Sequence, residues 1–121
     1  MNNFEEYKLD LDSILRQYLH DTSEDLDLTN VVDVCIFLMQ SLARKLKLSG
    51  EKKKFILLSV LKEFVFEQED MNKVLQRELY DFCEYLLPTM IDALVQARKK
   101  KFTFKIKSKT RSLLCNQTQA I

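Results

Sequence analysis

The stretch VVDVCIFLMQSLARKLKLSGEKKKFILLSVLKEFVF, residues 31–66, decides the fold. Its first half sets Val31, Val34, Cys35, Leu38, Leu42 and Leu46 at helical spacing, and Val32, Ile36, Phe37 and Met39 widen that stripe almost all round. Its second half is apolar at Phe55, Ile56, Leu57, Leu58, Val60, Leu61, Phe64, Val65 and Phe66, with one narrow polar face at Ser59, Lys62, Glu63 and Glu67. A helix that is apolar over most of its circumference belongs inside a bundle. Between the halves, Ser49 and Gly50 form the one obvious tight-turn signal, because glycine can take the left-handed backbone that stops a helix. The pattern predicts a central antiparallel hairpin of two helices. The first is capped by Thr29 or Asn30 and runs to about residue 48; the second covers residues 51–68.

Amphipathic neighbours are expected to cover this hairpin. Phe4, Tyr7, Leu11, Ile14, Leu15 and Tyr18 give a first helix over residues 3–20, with Glu5 and Glu6 near its positive end. Residues 21–28 read as an acidic loop. Asp70 is the expected cap of a fourth helix with Met71, Leu75, Leu79, Phe82 and Leu86 on one face. Pro88 should break or kink that helix and open a short fifth one, with Met90, Ile91, Leu94 and Val95 buried. At Phe102, Phe104 and Ile106 the period changes to alternation with Thr103, Lys105 and Lys107, which is strand-like. The expected fold class is all-α: a four- to five-helix bundle over residues 1–97, then a basic strand-like segment and loose tail over residues 98–121.

Composition agrees. The 121 residues contain one Gly and one Pro, too few for the many turns of an all-β fold. No apolar run reaches the ~18–20 residues that span a bilayer, and residues 1–8 lack the basic start and apolar core of a secretory leader. Cys35, Cys83 and Cys115 are odd in number and widely spaced, so a disulfide framework is not expected. Cys35 and Cys83 fall in apolar stripes and read as buried thiols. The expected location is the cytoplasm.

The net charge of +1 conceals a segregation. Residues 98–111 hold eight Lys or Arg and no acid, which leaves residues 1–97 at −7. Residues 1–28 carry eight acids against Lys8 and Arg16. A second basic group, Arg44, Lys45, Lys47, Lys52, Lys53 and Lys54, surrounds the central turn. Lys52, Lys53 and Lys54 sit at the end of a helix where the dipole disfavours cations. They read either as a solvated face or as an anion-facing surface. The strand-like segment needs a partner for its backbone groups. Residues 7–12, or the shorter 26–28, could pair with it and set acids opposite Lys105 and Lys107.

Chemistry-bearing clusters are missing. His20 is the only histidine, so every Ser-His-Asp or Cys-His site would have to use it, and beside Asp21 at a helix end it reads as a dipole partner. No CxxC or HxxxH spacing suggests zinc. Asp21, Ser23, Asp25 and Asp27 approach a calcium loop, but Leu26 stands where Gly is needed and Val32 where the bidentate Glu is needed. One Gly excludes the Gly-rich phosphate loops. No catalytic residue, metal or cofactor is expected.

One resemblance adds to this reading. Leu48-Ser49-Gly50-Glu51-Lys52-Lys53-Lys54-Phe55, followed by Leu57-Leu58-Ser59-Val60-Leu61, resembles the Leu-x-Gly-x-x-Lys-Lys-x segment and apolar helix of small helical proteins encoded by large DNA viruses. Leu87-Pro88-Thr89-Met90-Ile91-Asp92-Ala93-Leu94-Val95 and the basic stretch to Lys101 resemble the Pro-x-x-Ile-Asp helix and Lys-rich turn of the same group. Lys99, Lys100 and Lys101 depart from it where a Gly would make the turn before a strand. The resemblance implies a virion or accessory component in the virion or host cytoplasm, with no catalytic residues.

The expected function is therefore a non-enzymatic protein–protein interaction or assembly module, with self-association into a homo-oligomer as one form. Its partner-binding residues would be Lys52, Lys53, Lys54, Arg98, Lys99, Lys100, Lys101, Phe102, Phe104, Lys105 and Lys107. The alternative is electrostatic nucleic-acid binding by the same basic groups, with Phe102 and Phe104 stacking on bases.

Overall fold

The computed structural model describes residues 3–45 and 47–107, the last ten of these by backbone alone. Helices α1 (Asn3–Thr22), α2 (Val31–Ala43), α3 (Gly50–Phe66) and α4 (Lys73–Asp81) are followed by a π-helical turn (Phe82–Leu86) and α5 (Leu87–Lys107). The chain divides after Pro88: residues up to Pro88 form one compact unit, and a second begins at Thr89. The boundary expected after residue 97 falls inside the continuous α5.

In the first unit α1, α2 and α3 each pack on the other two, while α4 and the π turn pack on α3. The expected α2–α3 hairpin is present, but α3 is the element that touches the most others. Its Ile56, Leu57, Val60, Leu61, Phe64 and Val65 are buried. They meet a core built from Leu11, Leu15 and Leu19 of α1 and from Val31, Val34, Cys35, Leu38 and Leu42 of α2. Removing one such side chain costs about 2–5 kcal/mol.

The helix ends differ in detail from expectation. Among the described residues, Ser23 is the one non-glycine residue with positive φ, at 54°. Its amide donates to His20 O at 3.1 Å and that of Glu24 to Leu19 O at 3.0 Å, the paired bonds of a Schellman stop with Ser in the place that favours Gly. Asn30 precedes α2, but its side chain does not cap forward. Asp27 Oδ1 instead accepts from the amides of Thr29 (2.8 Å) and Asn30 (3.1 Å), and Asn30 Oδ1 accepts from the Asp27 amide at 2.9 Å.

α2 ends at Ala43 rather than near residue 48, where successive turns take over with Lys45 N–H on Leu42 O and Leu48 N–H on Lys45 O. Gly50 is not left-handed. It occupies the first position of α3, and Ser49 caps by accepting from Lys52 N–H at 3.2 Å. Likewise Asn72, not Asp70, caps α4 by accepting from Val74 and Leu75 N–H.

Pro88 does not break the helix. It lies just after the π turn, where the Leu87 amide reaches back to Phe82 O, five residues earlier. That wider turn makes room for a ring that would otherwise collide with the preceding carbonyl, and it needs no N–H from Pro88. The register shifts with it. Leu79, Cys83 and Leu87 are buried at four-residue steps, and Leu86, expected on the buried face, is exposed. An α-helix of 3.6 residues per turn would rotate that stripe by about 40° per step.

The strand reading of residues 102–107 is overturned, since they continue α5. So is its pairing with residues 7–12, which lie in α1. A helix satisfies its backbone groups within itself, whereas a lone strand cannot. The tail expected at residues 108–121 lies outside the described residues.

Candidate functional site

α1 and α3 run parallel. Near their starts, the Phe4 and Phe55 rings lie 5.2 Å apart at 49°. Further along, Lys8 pairs with Glu63. Near the far end Arg16 Nη2 lies 3.4 Å from Glu67 Oε1, and its guanidinium sits 5.0 Å from the Phe64 ring centroid. α2 packs on both and returns the chain, so Lys47 and Leu48, which lead from α2 into α3, lie beside the start of α1 at one end of the unit.

A cleft of about 730 Å³ opens at that end. Phe4 and Tyr7 of α1 form one wall, and Lys52 and Phe55 of α3 form the other. Lys47 and Leu48 close it from the connection. Phe55 is 60% exposed even though its ring meets Phe4. Lys45 Nζ stands 6.0 Å from the Tyr7 ring centroid, within reach of a cation–π contact. Lys47 and Lys52 are exposed; Lys53 and Lys54 are half-buried on the same first turns of α3. The N-terminal dipoles of α1 and α3 point into this region, adding positive potential to that of the lysines. Glu51 is the acid on the cleft wall.

Of the residues expected to bind a partner, Lys52 is on the cleft, and Lys53 and Lys54 adjoin it in α3. Arg98, Lys99, Lys100, Lys101, Phe102, Phe104, Lys105 and Lys107 belong to α5, and their side chains lie outside the described residues. Phe4, Tyr7, Lys47 and Phe55 are the contributors that sequence reasoning missed. The aromatic residues fell into helical stripes and read as core; only the parallel run of α1 and α3 leaves them at a mouth.

The opposite end of the unit is acidic. Asp21 stands in the last turn of α1, Glu24 and Asp25 follow it, and Glu67, Glu69 and Asp70 follow α3; all are exposed. Hydrogen bonds from Thr29, side chain first and then backbone, hold the Asp27 carboxyl below its usual range. Gln76 Nε2 donates to the carbonyls of Val65 (2.8 Å), Phe66 (3.1 Å) and Gln68 (3.1 Å), tying the end of α3 to α4. Beside it, Phe66 stands 76% exposed at the edge of a hollow shared with Tyr80, Lys73 and Arg77.

Other groups are poorly disposed for chemistry. Cys35 and Cys83 are free and buried. Loss of solvation pushes their thiols up, to about 12 for Cys35, helped by the neighbouring Cys83, and to about 11 for Cys83 despite Lys62. Neither supplies a thiolate near neutral pH. His20 is exposed, with Nδ1 3.6 Å from Asp21 Oδ1. Among the described residues no three His, Cys, Asp or Glu side chains converge on a metal position. No helix among them is long and apolar enough to cross a membrane.

No family model, curated protein or solved structure matches the chain.

Proposed function

We propose that this chain is a non-enzymatic protein-interaction module whose cleft at the start of α1 and α3 receives an acidic segment of a partner protein. One observation carries the reading: Phe4, Tyr7 and Phe55 line a cleft edged by Lys47 and Lys52. Aromatic walls supply contact area at small entropic loss, and the lysines steer and orient an acidic ligand. Lysines at a helix start are unfavourable to the helix itself, so an anion seated there would relieve a local repulsion. In the viral setting implied by the sequence resemblance, such a module would serve as a virion or accessory component.

The test is fluorescence anisotropy with a labelled Glu/Asp-rich peptide carrying one Phe, against the parent chain and a Lys47→Glu, Lys52→Glu variant. Binding by the parent that weakens with salt and drops at least tenfold in the variant is the expected result. Equal binding by both proteins, or none by the parent, overturns the reading. A single-stranded oligonucleotide that binds more tightly than the peptide would replace it with the nucleic-acid alternative.

A further inference from the structure

The cleft has a complement on the same chain, at the other end of the same helix. Among the described residues of the first unit, Phe66 is the most exposed large apolar one, and Glu67, Glu69 and Asp70 come directly after it. An aromatic side chain followed by three exposed acids matches a mouth of aromatic side chains edged by lysines, in apolar character and in sign of charge. The end of α3 is also held in place: the Gln76 side-chain amide donates to its last two carbonyls, Val65 and Phe66, and to that of Gln68 just beyond. Phe66 is thus presented on a fixed support, which lowers the ordering cost of docking.

Phe66 cannot reach the cleft of its own chain. Along α3 it lies about 16 Å beyond Phe55, at 1.5 Å per residue, on a rigid helix. The complement is available only between molecules. We infer that the occupant of the cleft is a second copy of this chain, which packs Phe66 against the mouth formed by Phe4, Tyr7 and Phe55 and sets Glu67, Glu69 and Asp70 against Lys47 and Lys52. The inference rests on the cleft being the docking surface proposed above.

The contact joins two different patches, so each joined pair keeps one free mouth and one free Phe66 end. Such a heterologous contact propagates into a filament, or closes into a ring if the rotation between copies allows it. Lys73 and Arg77, exposed on α4 beside Phe66, are the like charges that the arriving lysines must avoid. They weaken the joint and make it dependent on orientation. Its ion pairs lie at a solvent-exposed rim, so added salt screens them.

Sedimentation velocity on the full chain tests this with two variants. Lys47→Glu, Lys52→Glu spoils the mouth, and its new carboxylates suit the start of α3, so it should remain folded. Phe66→Ser spoils the other end at an exposed position; circular dichroism and thermal melts verify both folds. The parent should gain mass with concentration at low salt and return to monomer near ~0.5 M salt, where the Debye length is about 4 Å. Each variant alone should stay monomeric. Mixed in equal amounts they should form one heterodimer and stop, because only one intact mouth and one intact Phe66 end remain. A parent that is monomeric at high concentration and low salt, a variant that assembles like the parent, or a mixture that fails to pair would each overturn the inference. If the parent is monomeric yet still captures the acidic Phe peptide, the docking reading stands and only self-pairing falls.

Discussion

Two of the connections that reverse the chain in the first unit, α1 to α2 and α2 to α3, are built in opposite ways. Residues 23–30 are acidic and internally bonded. A left-handed Ser23 stops α1, Asp27 and Asn30 exchange hydrogen bonds, and Asn30 Nδ2 also donates to Asp25 O at 2.8 Å. Leu26 is buried beneath them, and Asn30 is the one buried polar residue of the described chain. The second connection is basic; its described residues turn at Lys45 and Leu48, and Ser49 caps the start of α3. The first connection uses its polar groups on itself and the second leaves them outward. A surface that satisfies itself has little to offer a ligand, so the open, basic connection is the one beside a cleft.

Because α3 ties the ends together, the largest expected effect is one that loosens both. Leu61→Ala, at a position with no exposed surface, should cost about 2–5 kcal/mol. Urea unfolding should still be a single transition, with hydrogen-exchange protection lost together in residues 23–30 and 44–49. Loss confined to one connection would show that the ends are not mechanically joined.

The contrast itself is read by paired substitutions. Asn30→Ala leaves the Asp27 amide and the Asp25 carbonyl without their partner, for an expected loss of about 1–3 kcal/mol. Ser49→Ala removes one exposed cap, for about 1 kcal/mol or less. Denaturant midpoints should rank them in that order; the reverse ranking would break the distinction between a bonded and an open connection.

Ser23→Gly should act the other way. It relieves a left-handed backbone at a non-glycine residue and should raise stability by about 0.5–1 kcal/mol, read as an increase in Tm. A fall in Tm would mean that the Ser23 side chain supports the stop more than its backbone opposes it.

The smallest effect concerns pH. Asp27 has a folded value below its ordinary 3.8. Its contribution is therefore present above that ordinary value and is lost as pH falls through the lowered one. Amide shifts of Thr29 and Asn30 should follow a carboxyl titrating below 3.8, while amides of residues 44–49 should not follow it. Lys62 behaves oppositely: its hydrogen bond to Glu84, first among the causes, raises its value, so that contribution fades only as pH rises through the raised value.

Much of this was legible before any coordinates. The stripes from Val31 to Leu42 and from Ile56 to Val65 announced two helices, and Cys35 and Cys83 sat in apolar patterns and are buried. Boundaries were less legible where neighbouring residues compete for the same task. Asn30, Asp27, Ser49, Gly50, Asp70 and Asn72 can all end or begin a helix, and local spacing cannot say which side chain finds its amide. Alternation at Phe102, Phe104 and Ile106 suggested a strand because it scores side chains and ignores whether the backbone has a partner.

The amino-acid order by itself determined that the chain makes long helices, which residues are apolar along each one, and which short runs carry acids or lysines. Those properties repeat within one or two turns, so neighbouring residues suffice to express them. Only the tertiary structure decided that α1 and α3 point the same way, that Phe4, Tyr7 and Phe55 meet at a mouth instead of a core, and that Lys52 and Phe66 stand at opposite ends of one helix. Those are relations between segments far apart in the chain, set by the return path of α2 and by burial of Leu11, Leu15, Leu38 and Leu61 together.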